Sequence, residues 1–176
     1  MKTLPLALMM IALTTSANAQ HSGHGSDQTQ PYAGLDGRAL PSLSAEELDG
    51  LRAGRGLAMA LPAELNGYPG PLHVLELADR LKLTPDQASR TEALVAAMRK
   101  ETIEIGQALI AAETRLDRIF KERRATAETI ATETTAAGAA RAALRATHLR
   151  YHLVMVEMLN ERQIAEYRSA RGYRTP

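Results

Sequence analysis

The chain has 176 residues, 21 Lys+Arg against 20 Asp+Glu, and no cysteine. The length suits one domain, and the absence of thiols excludes a disulfide framework and cysteine chemistry. With a formal net charge of +1 nucleic acid is not an expected partner, while one Phe, no Trp and seven Met suggest a thin helical core.

The first residues combine Lys2, an apolar run from Leu4 to Leu13 and the small-residue stretch Ala17-Asn18-Ala19 before Gln20. This order predicts a secretory signal peptide over 1–19. The run falls short of the ~20 residues that span a bilayer, so the expected product has no membrane span and is periplasmic. Cleavage removes only Lys2 among the charged residues, leaving 20 basic and 20 acidic side chains. They are unevenly spread: residues 20–65 hold six acids and three bases, residues 141–176 seven Arg and three Glu. A basic end of this kind attracts acidic clients, or is an ordinary solvated helix face.

Residues 20–43 are rich in Gly, Ser, Gln, Pro and His with little apolar periodicity, which predicts a flexible arm. A helical domain is expected over 44–174. It opens at Ser44, with Glu47 completing a capping-box pattern, and Gly54 and Gly56 end this first short helix. A second short helix is expected over Leu57–Leu65, kinked or restarted by Pro62. A turn follows at Asn66–Pro71, and a third helix runs from Pro71 through Leu81.

Thr84-Pro85-Asp86-Gln87 is a strong start signal: an N-cap Thr, Pro at the first helical position, an acid in the first turn and Gln at the third position. The following apolar residues Leu94, Met98, Ile105, Leu109, Leu116 and Phe120 form an eleven-residue repeat, which keeps a nearly straight stripe. Nothing interrupts this helix before the charged cluster Lys121–Arg124, giving it ~55 Å at 1.5 Å per residue. The next helix, about Ala127–Leu159, follows a heptad through Ile130, Thr134, Ala137, Arg141, Leu144, His148, Tyr151, Met155 and Met158. Asn160 with Gln163 then starts a terminal helix that stops at Gly172. The fold class is therefore all-α: a long antiparallel helical hairpin with short flanking helices, whose apolar stripes exceed what one hairpin covers. The short helices cover part of the remainder, and a second copy of the chain or a client protein covers the rest; a homodimer is the expected arrangement.

The segments Leu83-Thr84-Pro85-Asp86-Gln87 and Leu159-Asn160-Glu161-Arg162-Gln163 repeat one pattern, and two well-made helix starts explain it physically. As a pair in an exported, Cys-free helical chain they resemble the LTxxQ motifs of the Spy/CpxP family, over roughly residues 71–174, with Asn160 where the family usually has Thr. The resemblance implies an antiparallel dimeric cradle. It also implies an ATP-independent chaperone or envelope-stress protein that holds unfolded or misfolded envelope proteins, with ZraP- and CnrX-like relatives that bind or sense metals.

Two functional readings follow. A holdase needs an adaptable apolar surface, for which Met is suited: Leu94, Met98, Ile105, Leu109, Met155 and Met158 are the candidate client-binding residues, bordered by Arg90, Arg99, Arg115, Arg118, Arg145 and Arg150. The same apolar residues equally serve as ordinary hairpin core. No Walker-type loop is present, so no nucleotide is required. The second reading is a copper, zinc or nickel binder. His148 and His152 lie four apart on one helix face, Met155 adds a soft donor, and Glu101 or Glu113 faces them. A histidine-containing core accounts for the same spacing. His21 and His24 in the arm form a second candidate pair. No elbow, zinc-helix or dinucleotide motif is found, so an enzyme is not expected.

Overall fold

Four of the helices begin at capping boxes, in which the N-cap side chain accepts from the third backbone N–H and the third side chain accepts from the N-cap N–H. They open at Ser44, Thr84, Thr126 and Asn160. The computed structural model describes residues 30–173, among which there are seven α-helices, a 3-10 turn at Leu35–Gly37 and no strand. The helices are α1 (Ala45–Ala53), α2 (Leu61–Leu65), α3 (Pro71–Glu76), α4 (Ala78–Leu81), α5 (Pro85–Lys121), α6 (Ala127–Met158) and α7 (Glu161–Arg171). The proposed signal peptide, the arm up to Thr29 and the pair His21 and His24 lie outside the described residues.

α5 and α6 run antiparallel. Arg115 near the end of α5 bonds Glu133 near the start of α6 at 2.8 Å, the Tyr151 hydroxyl donates to Glu101 at 2.8 Å, and Gln87 at the start of α5 donates to the Met158 carbonyl at 3.0 Å. No helix among the described residues is long and apolar enough to cross a membrane.

Two apolar clusters hold the short segments against this pair. The first joins Leu48 and Leu51 of α1 to Leu109, Ala112, Ala137 and Leu144, with Leu40 and Leu43. Leu40 and Leu43, which fall within the expected arm, are 4% and 1% exposed. Two leucines with no period around them fill a gap that only the tertiary fold creates. The second cluster packs Val74 and Leu81 against Met155, Leu159 and Tyr167.

The face α5 buries is narrower in side chains than its apolar stripe. Its buried residues are Thr91, Thr102, Gly106, Leu109 and Ala112, whereas Phe120 is exposed. A Cβ on Gly106 would come within 2.8 Å of the Leu51 carbonyl oxygen, and one on Gly54 within 2.8 Å of Thr102 Oγ1. α1 therefore lies backbone-close on α5, a packing that small residues permit.

Two expected short helices differ in detail. Leu57 and Ala58 hold left-handed backbone at φ 44° and 57°, so the second helix begins only at Leu61 with Pro62 in its first turn. The Pro71–Leu81 helix is broken at Leu77 into α3 and α4.

Candidate functional site

The two motif glutamines meet. Gln87 Nε2 donates to Gln163 Oε1 at 3.0 Å and Gln163 Nε2 donates to Gln87 Oε1 at 2.9 Å. Each Oε1 also accepts its own N-cap N–H, from Thr84 and from Asn160, both at 3.0 Å. The remaining amide protons reach the carbonyls of Met158 and Leu81. Both caps thus form one satisfied amide network, with Leu83 and Leu159 packed in the adjoining apolar cluster.

On α6, His148 and His152 are buried between Leu144 of the first apolar cluster and Met155 of the second. His148 Nδ1 lies 2.9 Å from the Leu144 carbonyl and His152 Nδ1 2.8 Å from the Tyr68 carbonyl. A carbonyl only accepts, so each Nδ1 carries a proton. His148 Nε2 is buried without a partner. Burial, only partly opposed by the Leu144 bond, holds its pKa below the ordinary histidine value.

The expected donor set around these histidines does not assemble. Met155 is fully buried against Val74, Leu81 and Tyr167, because α3, α4 and α7 close over it. Glu101 is committed to Tyr151 and Arg150, and Glu113 is half-buried. Among the described residues no three His, Cys, Asp or Glu side chains gather to hold a metal ion.

A cluster beside His152 escapes sequence reading. Glu64 of α2, 7% exposed, accepts from His73 Nδ1 at 2.8 Å and from the Tyr167 hydroxyl at 2.7 Å. Burial by itself would raise the Glu64 pKa, but the bonds from His73 and Tyr167 and the nearby imidazoles outweigh it and hold the carboxyl below its ordinary value. Burial and the carboxylate together push the Tyr167 phenol well above its ordinary value. The Gly70 N–H also donates to Tyr167 Oη at 3.4 Å. Its partners lie nine and 103 positions from Glu64, a separation that no local motif encodes.

This cluster floors a cavity of about 310 Å³, walled on its apolar side by Leu57, Leu61, Leu72 and Met98. The left-handed pair Leu57 and Ala58 forms part of the wall, a strained backbone of the sort that tends to gather at functional sites.

The expected client-binding stripe is largely roofed. Leu109 and Met155 are 0% exposed, because α1 covers the first and α3, α4 and α7 the second, so neither is available to a client in this arrangement. Leu94, Met98, Ile105 and Met158 are half-buried. The large apolar side chains that do face solvent include Leu61, Leu65, Tyr68, Leu72 and Leu153. Tyr68 and Leu153 line one shallow groove between α2 and α6 with Ala146 and Leu149. Among the expected basic border residues, Arg90 pairs with Asp86, Arg115 with Glu133 and Arg150 with Glu101, and Arg99, Arg118 and Arg145 are exposed.

Comparison with known proteins yields no match to a family model, to a curated protein or to a solved structure.

Proposed function

We propose that the protein is an exported, ATP-independent holdase that shields unfolded or misfolded envelope proteins in the periplasm. The observation that carries this reading is the apolar groove between α2 and α6, where Tyr68 and Leu153 are 39% and 54% exposed beside Leu149, with Arg150 at its border. Exposed apolar side chains ringed by charge capture segments of many sequences while keeping the holder in solution. The clasp between Gln87 and Gln163 accords with the Spy/CpxP resemblance, since it gives the paired motifs one joint structural task. In this reading the α5–α6 hairpin assembles as an antiparallel homodimeric cradle, and no catalysis or cofactor takes part. Aggregation of several chemically unfolded clients, followed by light scattering without nucleotide, tests it: protection at up to equimolar protein is expected, and failure with every client rejects it.

A second reading, binding of copper, zinc or nickel through His148 and His152, draws support from the partnerless Nε2 of His148. A neutral imidazole whose Nδ1–H is held by a carbonyl is oriented as metal-bound histidines are. The ligand shell would then need donors beyond Met155, whose sulfur is enclosed by the apolar cluster. Calorimetric titration with each ion, with His148→Gln as control, distinguishes it: no binding heat removes this reading and leaves the holdase untouched.

A further inference from the structure

We infer that the cavity floored by Glu64 and His152 is a binding site for a primary ammonium group carried on a short apolar stem. The buried polar groups at its floor are Glu64 and His152, with His73, Arg171 and Tyr173 also in its wall. Glu64 is an ionised carboxylate whose two oxygens each accept one bond, and each retains a further lone pair. His152 is 5% exposed, its Nδ1 donates to the Tyr68 carbonyl, and its ring lines the same space. The two groups converge: the position a Cβ would take on Gly70 lies 2.6 Å from Glu64 Oε1 and 3.3 Å from His152 Nε2. Only a glycine leaves both within reach of a third group.

A buried carboxylate that keeps lone pairs to spare at one end of an apolar cavity calls for a ligand that brings donors and a positive charge. A primary ammonium brings three N–H donors and stays protonated at neutral pH. Leu57, Leu61, Leu72 and Met98 then receive the hydrocarbon, and about 310 Å³ lies at the small end of ligand pockets. The cation in the wall, Arg171, is turned to Tyr173, whose hydroxyl accepts from its Nε at 3.4 Å and whose ring lies 5.9 Å from the guanidinium carbon. The ligand class is therefore an n-alkylamine or the side chain of a peptide lysine, which share this chemistry.

Thermal shift and calorimetry on the full protein at pH 7.5 test the site with four probes: n-hexylamine, Nα-acetyl-lysine amide, N,N,N-trimethylhexylammonium and hexanoate. Hexylamine or the lysine amide, or both, should bind at one site per chain and raise the melting temperature, and the stronger of the two names the source of the amine. The trimethylated amine, which has no N–H, and hexanoate, which has the wrong charge, should bind about tenfold more weakly or not at all. Glu64→Gln should abolish the response. Because Glu64 is buried, Leu72→Lys serves as the second variant: Leu72 is 43% exposed, so the change should keep the fold, and its own ammonium at the cavity rim should lower amine affinity by about tenfold or more. Binding of neither amine, equal binding of the trimethylated probe or of hexanoate, or an undiminished response in folded Leu72→Lys overturns the inference.

Discussion

Gln87 and Gln163, 76 positions apart, exchange two side-chain hydrogen bonds of 3.0 and 2.9 Å while each caps its own helix. The start of α5 and the start of α7 are therefore locked to one another through the same atoms that start them. Gln163→Ala removes the acceptor of the Asn160 N–H and leaves the Gln87 amide short of a partner in a buried setting, which costs about 2–3 kcal/mol. Gln87→Ala costs less, because Gln87 is only half-buried. Urea denaturation of both single variants and the double variant should give a coupling of about 1 kcal/mol or more; additive losses would show that the two caps act independently.

Stability should fall in two stages on acidification. His148 has a depressed pKa in the fold, so its contribution is complete above the ordinary value of 6.5 and is lost as pH falls below it towards the folded value. Glu64 is a carboxyl with a depressed pKa, whose contribution is complete above 4.5 and disappears as pH falls through the lower folded value. Melting temperature against pH should be flat near pH 7–8, decline below 6.5 and decline further below 4.5. His148→Gln should remove the first decline and keep the second.

What the sequence discloses about this fold is local. Ser44 with Glu47, Thr84 with Gln87 and Asn160 with Gln163 announce helix starts because a cap needs only residues three apart. Thr126 with Thr129 forms an equivalent box, less visible because Thr replaces the usual Glu or Gln. The heptad foretells the buried Leu144, His148, Tyr151 and Met155. What stays hidden is cover: nothing near Leu40, Leu43 or Val74 says that these residues pack over α5 and α6, so the sequence leaves Leu109 and Met155 open to both readings, client surface and core. The pair His148 and His152 is legible by spacing, but Glu64, His73 and Tyr167 meet only through the packing of α2, α3 and α7.

Glycine positions separate close packing from open helix. Gly106→Ala places a methyl within 2.8 Å of the Leu51 carbonyl and must lift α1 from α5, a loss of about 1–3 kcal/mol. Gly138→Ala meets nothing within 4 Å inside α6 and should stabilise by about 0.5–1 kcal/mol. Thermal denaturation should move the two variants in opposite directions; a stabilising Gly106→Ala would mean that α1 is not held against α5.

The capture surface is tested most directly by the double variant Tyr68→Asp, Leu153→Asp, both of which line the groove. Both side chains face solvent, at 39% and 54% exposure, so the change should cost little stability. Measured by light scattering with a chemically unfolded client and no nucleotide, the unaltered protein should suppress aggregation and the folded double variant should lose most of that protection. Full protection by the folded variant would contradict capture at the α2–α6 groove.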